Sequence, residues 1–351
     1  MKYIYSSKDP AIYICKKGKK IPLLYNIGIV SAFLPEQDMI IGGATKIFPP
    51  INGVSRKFNR FIFEGHLVVA VLCGVGMTNS SLTTQNLIDI FNPTYLLFSG
   101  IAGNMNDKHN VGDVIINRRW VDFSMTKYIR TNTPYNDFYD NEPDYPTTMF
   151  RPIDNKVISL TWPTLDGTTD PVPPTNNIID GKLLKTKQMS IPIYTETLVG
   201  PNDAYLSVVP SRFFFDADKY LLRIARRAIK KGIVLNDIQT YTPTVSIGDV
   251  GLSSNVFVDN AEWRMDVHRQ FIVGGYVVET TDMETAAFAQ TAISNKKPFL
   301  AIRALSDLAG AGTNPEHINV FFEVAASNSL IVFRSLLMML ATEKKYCHKH
   351  H

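Results

Sequence analysis

Short, mostly apolar runs recur along this chain, and most are followed by a stretch of helical spacing. Residues 25–33 read YNIGIVSAF, 67–73 read LVVAVLC, 95–99 read YLLFS and 299–304 read FLAIRA. A strand with one wet face alternates polar and apolar residues, whereas a nearly continuous apolar run is buried on both faces. Residues 79–91 (NSSLTTQNLIDIF) have helical spacing, with Asn79 or Ser80 as the expected N-cap. Residues 216–231 (DADKYLLRIARRAIKK) form an amphipathic helix whose basic end, before Gly232, suits the negative pole of the dipole. Further strands are expected from 114, over 242–247 and over 276–280. Further helices are expected near 261–271, from Glu284, and from about 315 to 341. This alternation predicts an α/β fold, a central mixed β-sheet flanked by helices on both faces.

One segment breaks the pattern. Residues 122–212 are rich in Pro, Asn, Asp, Thr and Tyr, as in NTPYNDFYDNEPDYP and DGTTDPVPPTNN. They read as a long, loop-rich insertion within a single domain spanning 1–351, aromatic enough to pack on it.

Bulk properties exclude several classes. With 45% hydrophobic residues over 351 positions, the core needs neither disulfide nor metal. Cys15, Cys73 and Cys347 make no disulfide framework, and Cys73 belongs to an apolar strand. The net charge is +4, but Lys and Arg are scattered. The cluster Lys16-Lys17-Gly18-Lys19-Lys20 reads as a solvated loop, and no aromatic-interleaved basic stripe points to nucleic acid. The N-terminus has no apolar signal-peptide core. The stretch 329–341 is cut by Arg334 and too short to span a bilayer. A soluble, cytoplasmic protein is expected, and His348-Lys349-His350-His351 is assigned no function.

In open α/β sheets, ligands gather at the carboxyl ends of strands. Here those ends carry Glu36, the turn Cys73-Gly74-Val75-Gly76, the turn Ser99-Gly100-Ile101-Ala102-Gly103, Asp282-Met283-Glu284, and Arg303 to Asp307. Each has an ordinary structural reading. Gly74-x-Gly76 lacks the third glycine and the distal acid of a dinucleotide fingerprint. Glycines 100 and 103 suit a chain reversal, or a close approach of ligand to backbone. Glu36, Asp282 and Glu284 can tune helix dipoles, and Asp307 can cap a helix.

Together the blocks are more specific. IGIVSAFLPE (27–36), CGVGMTNSS (73–81), SGIAGN (99–104) with VGDVII (111–116), SSNVFVDN (253–260), DMETAA (282–287) and AIRALSDLAG (301–310) resemble the nucleoside phosphorylase-I superfamily. Within it they are similar to 5′-methylthioadenosine/S-adenosylhomocysteine nucleosidases, and above all to the plant bark and vegetative storage protein-like members. The resemblance implies a small-molecule purine nucleoside as partner, no cofactor or metal, and a homodimer or higher homo-oligomer.

It also implies roles. Glu36 matches the general base that positions the attacking water, and Asp307 the acid that protonates purine N7. Met283 and Glu284 match the pair that packs the ribose and takes its hydroxyls. Asp282 stands where the family has Glu, a shortening expected to alter hydroxyl or water contacts. Phe257 matches the aromatic that stacks on the base, with Val258 beside it giving backbone contacts. Ile101, Ala102 and Gly103 match the turn lining base and ribose, and Ser306 belongs to the acid's Ser-Asp block. Arg303 resembles an arginine that orients the water and the glutamate. Phe321 and Phe322 are candidates for a 5′-substituent pocket, with a core role as the alternative.

Water is the expected nucleophile. The resemblance places phosphorylase arginines where this chain has Leu34-Pro35-Glu36 and Phe98, and a hydroxyl where it has Ile101. Phosphate wants charge-assisted donors, which these positions lack. The alternatives are a purine nucleoside phosphorylase, and a storage or binding protein on the same fold. Joint retention of Glu36, Glu284 and Asp307 argues against the storage reading.

Overall fold

The computed structural model describes residues 2–16, 19–53, 55–124, 214–238, 241–273, 275–310 and 315–347, with short strand segments between 126 and 209. Three N-terminal strands, β1 (Lys2–Tyr5), β2 (Ile12–Lys16) and β3 (Lys19–Leu23), pair as an antiparallel meander. Then follow β4 (Ile27–Ser31), α1 (Leu34–Gly42), β5 (Lys46–Asn52), β6 (Lys57–Phe63), β7 (His66–Leu72), α2 (Met77–Phe91), β8 (Tyr95–Asn104) and β9 (Val114–Asp122). After the insertion come β10 (Phe215–Asp216), α3 (Lys219–Lys230), β11 (Val245–Ser253), α4 (Ala261–Val273), β12 (Val278–Asp282), α5 (Thr285–Ser294), β13 (Phe299–Asp307) and α6 (Pro315–Cys347).

The central sheet is mixed. β7, β4, β8 and β13 run parallel, because helices or long connections return the chain between them. Beyond β7, the strands β6 and β5 continue antiparallel. On the other side the pairings β8–β13, β13–β9, β9–β11, β11–β12 and β12–β8 close a ring. Part of the sheet is therefore rolled into a small barrel, and its strand ends are drawn together around one mouth. The apolar runs behave as their composition requires: every residue of β4 is buried, and β8 is buried from Leu96 to Gly100. Helices α2 and α5 pack together, as do α1 and α3 with α6, and both groups lie on the sheet.

Several boundaries depart from expectation. The chain between 46 and 63 forms β5 and β6, and the N-terminus forms the meander, whose β2 carries the short apolar run 11–15 (AIYIC); none of these is among the expected strands. β8, β11 and β13 each extend past the apolar stretch into polar residues buried at the site. The stretch 329–341 is part of a longer element: Phe322–Glu343 is long and apolar enough to cross a membrane by length and composition. Here its apolar positions pack inward, with Val332, Phe333, Leu336, Leu337 and Leu340 buried. The insertion expected over 122–212 falls largely outside the described residues, apart from short antiparallel pairs such as Leu160–Pro163 with Thr169–Val172. It leaves after β9, and the chain returns through β10, where Phe215 pairs with Trp120.

Arg60 of β6 holds the meander to the sheet edge. It is fully buried, and its guanidinium donates to the carbonyls of Pro49 (2.9 and 2.7 Å), Asp9 (2.9 Å), Pro10 (3.1 Å) and Ser6 (2.7 Å). Tyr25 adds an O–H to Pro10 O at 2.7 Å, and Tyr3 and Tyr5 meet Phe48 edge-on. Removing the guanidinium leaves these carbonyls without their donor. Arg60→Met should lower unfolding free energy by about 2–4 kcal/mol, read as a lower midpoint in urea. An unchanged midpoint would show that the meander contributes nothing to the stability of the sheet.

Candidate active site

At the end of β8 the chain passes through Gly100 and Ile101. A Cβ at Gly100 would lie 2.6 Å from Glu36 Oε1 and 2.7 Å from Arg303 Nη1. Only glycine lets the carboxylate and the guanidinium close on the same piece of backbone. Glu36 sits in the first turn of α1, where Oε2 accepts the N–H groups of Ala32 (2.9 Å) and Phe33 (3.1 Å). Oε1 accepts Ile101 N–H at 3.0 Å. Glu36 is 4% exposed, and burial pushes its carboxyl above the usual range, opposed by Arg303 and by the N–H bonds.

Arg303, from the middle of β13, is buried, and each of its nitrogens meets a protein acceptor. Its Nε lies 2.8 Å from Asp282 Oδ2 and 3.0 Å from Thr285 Oγ1. Nη1 donates to Ile101 O (2.9 Å), while Nη2 donates to Thr285 Oγ1 (2.7 Å) and lies 3.4 Å from Glu284 Oε2. The guanidinium also covers the Phe98 ring at 4.1 Å. Asp282 is the partner that fixes it. Asp282 Oδ1 accepts from Ser253 Oγ (2.5 Å), Glu284 N (3.2 Å) and Thr285 N (3.1 Å), and Oδ2 from the Thr285 hydroxyl. Its carboxylate, expected to meet ligand hydroxyls or water, is thus engaged by the protein on both oxygens. The shorter side chain reaches its own helix start, the Ser253 hydroxyl and Arg303.

Glu284 is the N-cap residue of α5 and 4% exposed. Its Oε1 accepts Gly76 N–H at 3.0 Å, and Asn255 Oδ1 accepts Met77 N–H at 2.9 Å. The N-terminus of α2 is therefore capped by side chains from distant loops. The helix begins at Met77, not at the Asn79 or Ser80 cap that the sequence suggests. Gly76 sits at φ 101°, where an L side chain is strained. Burial pushes the Glu284 carboxyl up to about 7, with Arg303 opposing and Asp282 reinforcing the shift.

Asp307 ends β13. Its Oδ1 accepts Ala309 N–H (2.8 Å) and Oδ2 accepts the Ser306 hydroxyl (2.9 Å). Burial pushes this carboxyl up too, against the pull of both bonds. Ile101, Ala102 and Gly103, Asp282, Met283 and Glu284, Ser306 and Asp307, and Phe257 with Val258 line one cleft. The cleft holds about 520 Å³ of empty space, its open mouth included. Phe257 is 62% exposed and Phe33 41% exposed, both at this mouth, where a planar ligand can cover them. Phe322 also lines the cleft, while the Phe321 side chain lies outside the described residues. Glu36 and Arg303 are not part of the wall; they lie against the Gly100–Ile101 backbone. The predicted site residues thus gather at one end of the sheet. Sequence reasoning missed Ser253, Asn255 and Thr285, although each lies inside a quoted block.

This arrangement lines one cleft with the carboxyl-bearing residues Glu284 and Asp307 and with apolar and aromatic surface, and sets Glu36 against the Gly100–Ile101 backbone. It suits a ligand with a flat, basic ring at one end and hydroxyls at the other. The chain is 25% identical over 276 residues to the 5′-methylthioadenosine/S-adenosylhomocysteine nucleosidase of Bacillus velezensis, covering 78% of this chain and 81% of the relative. It is 25% identical over 286 residues to the nucleosidase of Mycobacterium bovis, covering 81% and 86%. Among solved structures, the nucleosidase of Colwellia psychrerythraea in complex with adenine superposes with a TM-score of 0.58 at 19% identity, covering 91% of this chain and 96% of that one. Futalosine hydrolase of Helicobacter pylori superposes with a TM-score of 0.57 at 18% identity, covering 89% and 97%. The Phosphorylase superfamily model matches residues 26–161 and 184–338, on either side of a short gap inside the insertion, and the chain belongs to that superfamily.

Proposed function

We propose that the protein is a purine nucleosidase, hydrolysing the N-glycosidic bond of 5′-methylthioadenosine, S-adenosylhomocysteine or a simple purine nucleoside. The observation that carries this reading is one cleft lined by both Asp307 and Glu284, with the Glu36–Arg303 pair held against the β8 turn beside it. With the base between Phe257 and the 101–103 turn, Asp307 donates its proton to purine N7. Glu284 accepts the ribose hydroxyls, and Met283 packs against the sugar. As the C1′–N9 bond breaks, its electron pair leaves with the base and positive charge develops on the ribose ring. Water attacks C1′, and Glu36 Oε1, which retains an acceptor direction beyond Ile101 N–H, takes the proton. A raised carboxyl pKa suits both roles, moving Asp307 toward the protonated form that an acid needs and making Glu36 a stronger base.

Water is favoured over phosphate by the way the cations are used. Each nitrogen of Arg303 has a protein partner, and the first two N–H groups at the start of α2, an ordinary place to bind an anion, are taken by Glu284 and Asn255. Incubation with adenosine, inosine and methylthioadenosine, followed by chromatography, should release free base equally with and without phosphate. No base from any substrate removes the nucleosidase reading, and base only with phosphate replaces water as nucleophile. Asp307→Asn should slow turnover of 6-aminopurine nucleosides by at least about a hundredfold.

Glu284 gives a prediction of opposite sign for activity and stability. Its pKa is raised from 4.5 to about 7, so the folded state favours the protonated form. That contribution to stability is complete below the unfolded value and lost as pH rises through about 7. Glu284→Gln keeps an acceptor for Gly76 N–H and removes the charge. It should raise stability at pH 8 by on the order of 1 kcal/mol, with no gain near pH 5, while base release is lost. A variant less stable than wild type at both pH values would refute the assignment of this buried charge.

A further inference from the structure

The peptide that follows Asp307 is held from both sides. Its N–H, on Ala309, donates to Asp307 Oδ1 at 2.8 Å. Its carbonyl, on Leu308, accepts from Arg264 Nη1 at 2.7 Å. Ala309 is fully buried with φ 44°, a left-handed conformation that an alanine does not hold unaided. Immediately after it, Gly310 (φ 104°) abuts the start of α4: a Cβ there would lie 2.3 Å from Asn260 N and 2.4 Å from Ala261 N. The strained turn is thus fixed at one end by backbone contact and at the other by a single cation.

Arg264 is built for that task. It is 7% exposed, and its second terminal nitrogen meets Asp107 Oδ1 at 3.1 Å. It lies on α4, whose first turn is capped by Asn260 Oδ1 accepting Trp263 N–H at 2.9 Å. The same helix follows directly on the loop bearing Phe257. A charged donor on a peptide carbonyl polarises that peptide and strengthens its N–H as a donor.

Resting on the nucleosidase reading, we infer that Arg264 is a positioning residue for the proton donor: through the Leu308–Ala309 peptide it orients the Asp307 carboxyl toward the base. The reaction gains no extra step. Asp307 still gives its proton to the leaving base, and Arg264 touches neither substrate nor reacting atoms.

A double-mutant cycle tests this. Arg264→Met should lower kcat for a 6-aminopurine nucleoside by about tenfold with KM changed less than about threefold, and lower it less than about twofold in an Asp307→Asn background. Arg264→Lys, which keeps one donor for Leu308 O, should recover most of the loss. An equal factor in both backgrounds overturns the proposal, because the residue then acts on the fold and not through the acid. An activity-free measurement separates this failure from failure of the nucleosidase reading. Isotope-edited NMR titration of the Asp307 carboxyl carbon, assigned by its loss in Asp307→Asn, should show a higher pKa in Arg264→Met, since a bond favouring the charged form is weakened. The other groups facing Asp307 are Asp259, which raises its pKa in both proteins, and the uncharged Ser306, Gly103 and Thr281. An unmoved titration overturns the proposal even if the wild type releases no base. If Arg264→Met does not fold, Arg264→Gln carries both readouts with the same signs.

Discussion

The site depends on one buried guanidinium. Arg303 lies where three carboxylates meet: Asp282 and Glu284 in direct contact, and Glu36 across Gly100. One positive charge cannot neutralise three negative ones in a medium that solvates none of them. The structure resolves this by unequal sharing. Asp282 receives the short contact to Nε and the Ser253 and Thr285 donors. Glu284 and Glu36 receive the remainder, and burial drives both above the ordinary carboxylate range. An arginine alone fits, because it offers separate donors to Asp282, Thr285, Ile101 O and Glu284 from one planar group while stacking on Phe98.

Asp282 thereby acquires a meaning different from that of its neighbour Glu284, although the two acids flank a single residue. In a strand, successive side chains alternate between faces, so Asp282 and Glu284 would point the same way if β12 continued. It does not: Glu284 is already the cap residue of α5, and the chain turns between the two. Asp282 is held by Arg303 Nε and the helix start, while Glu284 accepts Gly76 N–H and has only the longer contact to Arg303 Nη2; both residues line the cleft.

The sheet core was legible because its strands are buried on both faces and announce themselves as apolar runs. The ends of those strands were less so. β8, β11 and β13 run on into SGIAGN, GDVGLS and ALSD, where small and polar residues pair as strand but read as loop. The edge strand β5 and its neighbour β6, carrying Lys, Asn and Arg, have no long apolar run to recognise. The N-cap of α2 failed for a physical reason: the cap lies neither at Asn79 nor at Ser80 but on loops far away in sequence, invisible to any local rule. The site residues could be listed from their blocks. What could not be read was which acid faces a ligand and which faces a cation, since that depends on donors such as Ser253 and Thr285 brought in by the tertiary fold.

The same donors bear on the choice of nucleophile. A helix N-terminus offers partial positive charge and free N–H groups, and anions settle there. In this protein the N–H groups of Gly76 and Met77, at the start of α2, are taken by the carboxylate of Glu284 and the amide of Asn255. The helix thus stabilises the charged form of Glu284 while desolvation opposes it, and a residue poised by two opposing effects titrates close to neutrality. A phosphate entering here would displace that carboxylate and lie beside Glu36 as well. The electrostatics that hold two carboxylates around the β8 turn are the same electrostatics that resist a third anion, and water carries no such penalty.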